Sequence, residues 1–288
     1  MSGAGSRLRA LIAEGGALAA PGVHDPYSAR IAVNAGHRAL YLGGNAMALG
    51  LGKGQPFLTS TETRDITARI AASVEAPLVV DAGAGFGGGA HLHVVLREIE
   101  AAGAAALHID DQPYPKPVGY HFGKGALVAP EEMAARLRLA VAARRDADLL
   151  LIARTDALRV TGSVEETIAR CRAYVEAGAE ALMVLDLGPD RAAAFRAALP
   201  GVPLVWIGGV AAPVPTLGEL SRAGFALACY PFNGVAAIAT ALGDLWAGLA
   251  RDGTIGQAED LLARARRETV ALAGLEPLHR IEQEGYRR

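Results

Sequence analysis

The chain is expected to fold as a (β/α)8 TIM-type barrel, an α/β fold, with extra helices at its C-terminal end. Three observations predict it. Eight short apolar runs with strand character recur along the chain, each followed by turn residues and then by a helical pattern. Several runs end in carboxylates, an arginine or glycine-rich turns, the residue types that build sites at the C-terminal face of a parallel barrel. No shift in composition marks an internal boundary, so residues 1–288 read as a single domain, of which about 247–288 form a helical extension.

In chain order the runs are ALAAPG (17–22), ALYLGG (39–44), PLVVDAG (77–83), AALHIDD (105–111), LLLIARTD (149–156), ALMVLDL (181–187), PLVWIGG (203–209) and ALACYP (226–231). Helix signals fill the spaces between them. Asp25 before Pro26 reads as an N-cap with proline at the first helical position, which makes Asp25 a cap rather than a catalyst. Thr59 with Glu62, and Ser163 with Glu166, fit the capping box. Leu92, Val95, Leu96 and Ile99 recur at the spacing of one helix face, as do Ile168, Cys171 and Val175. The tail is helical in pattern and longer than barrel closure needs.

Composition narrows the function. At 51% hydrophobic and 20% charged, 288 residues can bury a large core. A net charge of −2 and the lack of a long basic run argue against nucleic acid as a partner. Cys171 and Cys229 have no metal-ligand spacing and argue against a disulfide-stapled fold. No apolar segment approaches the ~20 residues of a bilayer span, so no membrane is expected. The first 22 residues faintly imitate a signal peptide, but Glu14 and the pair Gly15 and Gly16 interrupt it. The expected location is the cytoplasm.

The stretch PLVVDAGAGFGGG (77–89) contains Gly83, Gly85 and Gly88 in a G-x-G-x-x-G pattern. A dinucleotide fingerprint normally occupies the first βα turn of its unit. These glycines follow the third run and read instead as a tight turn at the catalytic face. The run ends there supply Tyr41, Gly43, Gly44, Asn45, Asp81, Asp110, Asp111, Gln112, Arg154, Asp156 and Asp186. Asp81 and Asp110, from neighbouring strands, form an oxygen site suited to Mg²⁺, with Mn²⁺ as the alternative ion. Arg154 offers a fork for a carboxylate or a phosphate-like group. The backbone N–H groups of Gly43, Gly44 and Asn45 could cradle an anion.

The order of these segments resembles the isocitrate lyase/phosphoenolpyruvate mutase superfamily. Its Y-L-S-G-like, D-A-D-x-G-Y-G, E-D-Q-x-x-P-K and A-R-T-D-A segments correspond to YLGGNA, DAGAGFG, DDQPYPK and ARTDA, in one register from about residue 8 to 250. The resemblance implies a Mg²⁺-dependent barrel acting on small anionic 2-oxo or 2-hydroxy acids. It also implies a homo-oligomer, dimer or tetramer, whose subunits exchange a C-terminal helix. The chain departs from the family in four places. The second aspartate of D-A-D is Gly83, and the glutamate before D-Q is Asp110. An aspartate of the loop before the third helix is missing near Gly54. The catalytic cysteine of the lyase loop is Val118.

The favoured activity is cleavage of a C–C bond in a small 2-hydroxy or 2-oxo dicarboxylic acid, or its decarboxylation or hydrolysis, through an enolate. The alternatives are a P–C bond enzyme of the phosphoenolpyruvate mutase or phosphonopyruvate type, and a degenerate barrel that binds an anion without turnover. In the favoured reading Tyr41 takes the hydroxyl proton, Lys116 meets an anion, and a lid residue, His121 or Tyr120, serves as general acid or base. Plainer readings stand beside these. Asp81 could cap a turn, Arg154 could pair with Asp156, and Tyr41 could simply pack. Asp111 and Gln112 could fix a loop, and Lys116 and Lys124 could be solvated lid charges. His108 shares the strand face of Asp110 and reads as a hydrogen-bonded interior histidine. His91 and His93, two apart on a helix, make a poor metal pair.

Overall fold

A computed structural model describes residues 3–123 and 125–286; Lys124 lies outside the described residues. The first half comprises α1 (Ala4–Ala13), β1 (Leu18–Val23), α2 (Pro26–Asn34), β2 (Leu40–Leu42), α3 (Gly44–Gly50), α4 (Ser60–Ala71), β3 (Leu78–Asp81), α5 (Gly89–Ala101) and β4 (Ala106–Asp110). There follow α6 (Pro130–Ala143), β5 (Leu150–Thr155), α7 (Ala157–Thr161), α8 (Val164–Glu176), β6 (Ala181–Val184), α9 (Ala192–Ala198), β7 (Leu204–Ile207), α10 (Leu217–Ala223) and β8 (Phe225–Tyr230). The chain ends with α11 (Asn233–Asp252), α12 (Glu259–Leu272) and α13 (Leu275–Gly285). Two 3₁₀ turns, Gln55–Phe57 and Val118–Phe122, sit in the loops after α3 and β4.

All eight expected runs form strands, and they close in sequence order into a parallel barrel in which β8 pairs with β1. Parallel pairing demands a crossover after each strand, and the alternating helices supply it. Side chains alternate between two cores. Tyr41, Val79, Ile152, Met183, Val205 and Cys229 fill the interior, whereas Leu40, Val80, Leu107 and Leu182 pack outward with the helices. Leu8 of α1 joins the interior cluster, and Arg7 and Arg9 donate to the carbonyls of Glu75 and Asp148, which precede β3 and β5. The N-terminal helix thus seals the end opposite the strand C-termini.

The caps behave as their residue types dictate. Asp25 accepts from the Ser28 amide, and Thr59 and Glu62 form a reciprocal box. Ser163 caps α8 through the Glu166 amide without the return bond, so it is half of the expected box. β6 stops at Val184, earlier than its apolar run, because Asp186 turns the chain with φ 64. After β3, Gly83, Gly85 and Gly87 all have positive φ, and a Cβ on Gly85 would lie 2.7 Å from Leu92 of α5. Those glycines are what the tight strand-to-helix turn requires.

Two compact units divide the chain, Met1–Val235 and Ala236–Arg288. The first holds the barrel. The second is helical and leaves large apolar side chains exposed, Trp246, Leu262, Leu278 and Ile281 among them. Among the described residues no helix is long and apolar enough to cross a membrane.

Candidate metal centre and lid

Strand register brings the candidate residues together. Asp81 on β3 lies beside His108 on β4, and Asp110 on β4 lies beside Arg154 on β5. His108 and Asp110, two apart, share the inward face. Asp81, His108 and Asp110 are all buried, and one ligand-type atom from each falls within 4.8 Å of the others.

Asp81 is held by backbone. Its Oδ2 accepts the Gly44 N–H at 2.9 Å and its Oδ1 the Gly83 N–H at 2.8 Å. A Cβ on Gly44 would sit 2.6 Å from Gln55 Nε2 and 3.0 Å from Asp81 Oδ2, so a side chain there would have to displace Gln55. This corrects the expected anion cradle: the Gly44 amide is spent on Asp81. Gly43 is the N-cap of α3, and neither Gly43 nor Asn45 bonds to the trio.

His108 is clamped on both ring nitrogens. Nδ1 lies 2.9 Å from Asp110 Oδ1, and Nε2 lies 2.9 Å from Tyr41 Oη and 3.7 Å from Asp81 Oδ1. A carboxylate only accepts, so Nδ1 carries the proton, and in the neutral ring Nε2 accepts from the Tyr41 hydroxyl. Burial first, then the Asp81 charge, pushes the Tyr41 phenol well above its ordinary pKa. Tyr41 therefore rests as a protonated donor to His108, and can accept a proton only by passing its own to that ring.

Asp110 is fully buried among charged neighbours. Burial works to raise its pKa, but Arg154, His108 and Lys116 outweigh it and hold the carboxyl well below the usual range. Its Oδ2 is buried without a hydrogen-bond partner, 3.6 Å from Arg154 Nη1 and 3.8 Å from Lys116 Nζ. Lys116 Nζ is likewise buried and unpartnered, 4.4 Å above the Tyr120 ring. An orphaned carboxylate oxygen next to a second buried carboxylate fits a hard cation, with the donor set of Asp81 and Asp110. His108, engaged at both nitrogens, buttresses that pair.

Arg154 donates from Nε to Asp156 Oδ1 at 3.1 Å and from Nη2 to Tyr120 Oη at 3.0 Å. Tyr120 in turn donates to Asp156 Oδ2 at 2.9 Å. The ion pair with Asp156 and the position facing Asp110 therefore coexist in one side chain. Asp111 accepts from Thr155 Oγ1, the Asp156 amide and Tyr174 Oη, and it locks the β4 loop to β5 and α8. Gln112 donates to Asp156. Asp186 pairs with Arg159 at the rim.

The lid departs most from expectation. Tyr120 reaches the site, but His121 is exposed, stands edge-on against Tyr120, and bonds to none of the described site residues. Partial burial, then Lys116, lowers its pKa. Val118 is exposed, and Cys171 and Cys229 are buried away from the lid, with burial pushing the Cys171 thiol up to about 12. Gln55 was not legible in the sequence. Its Nε2 stands 3.5 Å from Asp81 Oδ2, on the turn next to Gly54, where the chain lacks the family's loop aspartate. With Gly44, Asp81, Phe86, Tyr114 and Lys116 it encloses a cavity of about 40 Å³.

Comparison with known proteins agrees with this arrangement. The profile described as phosphoenolpyruvate phosphomutase matches residues 8–249. The chain is 31% identical to 2,3-dimethylmalate lyase of Eubacterium barkeri over 282 residues, covering 96% of each chain. It is 36% identical to 2-methylisocitrate lyase of Salmonella typhimurium over 265 residues, covering 90% of this chain and 88% of the relative. Among solved structures, phosphonopyruvate hydrolase in complex with oxalate and Mg²⁺ superposes with a TM-score of 0.87 at 29% identity, covering 98% of this chain and 99% of that one.

Proposed function

The chain belongs to the isocitrate lyase/phosphoenolpyruvate mutase superfamily, and on that footing we propose that it is a Mg²⁺-dependent carbon–carbon lyase. Its substrate is a small 2-hydroxy or 2-oxo dicarboxylic acid, cleaved through an enolate. The observation that carries this reading is the unpartnered Asp110 Oδ2, buried beside Asp81 and flanked by Arg154 and Lys116.

Asp81 and Asp110 would hold the ion. When bound, Mg²⁺ supplies Lewis-acid stabilisation of negative charge developing on substrate oxygen. Arg154 keeps Nε on Asp156 and offers Nη1 to one carboxylate. Lys116 Nζ, free of hydrogen bonds, meets the other. Tyr41 Oη takes the substrate hydroxyl proton as its own passes to His108 Nε2, 2.9 Å away, and the imidazolium is balanced by Asp110 and Asp81. Tyr120 covers the site and returns a proton to the departing carbanion. Burial raises its pKa, so it keeps that proton until a strong base appears.

The test is release of pyruvate, glyoxylate or a related oxo acid from a panel of 2-hydroxy and 2-oxo dicarboxylates, stopped by EDTA and restored by Mg²⁺. Ligand-induced stabilisation with no product would leave only a binding barrel. The similarity to phosphonopyruvate hydrolase favours a second reading, P–C bond cleavage, and inorganic phosphate released from a phosphonate in the same panel would establish it.

Two further expectations follow. Tyr120→Phe lowers turnover by about 10² to 10⁴ if its hydroxyl delivers the proton, whereas His121→Gln changes it little; stopped-flow single turnovers distinguish the two. The opposite pattern would return the role to His121. The exposed apolar faces of α11 to α13 are proposed to pack on another subunit, where buried area contributes roughly 25 cal/mol per Å². Removing the residues after 250 should therefore yield smaller species in light scattering, and a monomeric full-length chain would refute the assembly.

A further inference from the structure

The strands that carry the candidate metal ligands end together. β3 stops at Asp81 and β4 at Asp110, and beyond them one backbone bond runs from the Asp110 amide to the Gly83 carbonyl at 2.8 Å. The glycine turn then folds back on itself, with the Gly85 amide on the Ala82 carbonyl at 3.0 Å. Along a parallel strand, alternate residues turn their N–H and C=O to opposite neighbours. Asp111 bonds to the Arg154 carbonyl of β5, so the carbonyls of Asp110 and Gln112 are left on the β3 side, where the ladder has ended. Buried carbonyls need a donor from elsewhere.

Arg136 of α6 supplies it. Its side chain is 11% exposed, and its Nη1 donates to the carbonyls of Gln112 at 2.8 Å and Asp110 at 3.3 Å. Its Nη2 donates at 2.6 Å to Glu132, one turn earlier on the same helix. Bonds from an ionised donor are about twice as strong as neutral ones. A second arginine fastens the far end of the lid loop. Arg170 of α8 donates from Nη1 to the Val128 carbonyl at 2.9 Å, and the Val128 amide donates to the Asp111 carbonyl at 2.9 Å. The chain enters the lid loop through Asp110 to Gln112 and leaves it through Val128, so two arginines tie its base.

The tie at Arg136 matters because the Asp110 carboxylate is otherwise lightly held. His108 holds Oδ1, and Oδ2 has no hydrogen-bond partner. The direction of that free oxygen therefore depends on the backbone beneath it. The same Arg136 nitrogen also fixes Gln112, whose side chain donates to Asp156, and Asp156 in turn accepts from Arg154 and Tyr120.

We propose that Arg136 is a positioning residue for this site. It touches neither ion nor substrate. Through the carbonyls of Asp110 and Gln112 it aims the Asp110 carboxylate at the metal and keeps Arg154 and Tyr120 in register with it. The inference rests on the metal-dependent lyase reading and adds a residue to it.

The test is calorimetric titration with Mg²⁺, without substrate. Arg136→Met keeps the apolar stem and removes the donor. The expected loss of Mg²⁺ affinity is about 10- to 100-fold, the range for groups that orient metal ligands, and raising Mg²⁺ should recover part of the lost kcat/KM. Arg136→Lys keeps the charge but ends one bond short of Nη1, so it restores affinity only in part. Glu132→Gln removes only the exposed ion pair along the helix, which is worth little, and should stay within about twofold of the parent. Affinity within that limit in folded Arg136→Met, or an equal loss in Glu132→Gln, would overturn the proposal. Should Arg136→Met not fold, Arg136→Lys decides by the same limit. Mg²⁺ binding with no diacid cleaved would sink the lyase reading and leave the titration to judge Arg136. If the parent binds no Mg²⁺ the metal reading falls, and hydrogen exchange judges Arg136 alone. Faster exchange at the Asp111 and Val128 amides, with the rest of the barrel unchanged, then supports the role; unchanged exchange there, or exchange raised throughout the barrel, overturns it.

Discussion

Asp81→Asn abolishes Mg²⁺-dependent turnover and leaves the barrel folded. Groups that merely orient a ligand cost about 10- to 100-fold in metal affinity or activity when lost, so removing a ligand charge costs more than that. The substitution keeps the side-chain shape, but both carboxylate oxygens accept a backbone N–H, from Gly44 and Gly83. One of those donors must then face an amide NH₂, a local cost of about 1–3 kcal/mol. The expected signature is a lost Mg²⁺ titration by calorimetry and a lost Mg²⁺-dependent rise in Tm, with far-UV circular dichroism retained. Equal metal affinity in the variant and the parent would remove Asp81 from the site.

Arg154→Gln is expected to damage both stability and activity. The guanidinium is fully buried between Asp110 and Asp156, and although burial works against its charge, those two carboxylates hold it ionised. Removing it leaves uncompensated charge in the core, a loss of about 3–5 kcal/mol. Urea denaturation without substrate reads that loss. Arg154→Lys restores part of the stability but not the fork that binds Asp156, Tyr120 and a carboxylate together, so its kcat/KM stays low.

The pH dependence has a defined sign. The Asp110 carboxyl is depressed when folded, so its contribution to stability is present above the unfolded value of about 3.9. That contribution is lost as pH falls through the lower folded value. Without Arg154 the depression shrinks, and acid unfolding moves to higher pH. An acid midpoint identical to the parent's would show that Arg154 does not govern Asp110.

Some of this was local and therefore legible in the chain. Apolar runs of strand length, caps such as Asp25 and Thr59, and the helical spacing of Leu92 to Ile99 each depend on a few consecutive residues, and all of them reappear in the barrel. Asp81, Asp110 and Arg154 were also visible, because sequential strands of a parallel barrel are neighbours and their ends share one face. The remainder depended on contacts between segments distant in sequence. Gln55 meets Asp81 across 26 residues, His108 meets Tyr41 across 67, and Tyr120 meets Asp156 across 36. The 3₁₀ turns and loops that bring Gln55 and Tyr120 inward have no periodicity to read, so nothing local said that Tyr120 would enter and His121 would face solvent. Strand period sets which side chains point inward, but only barrel closure decides which of them stand opposite one another.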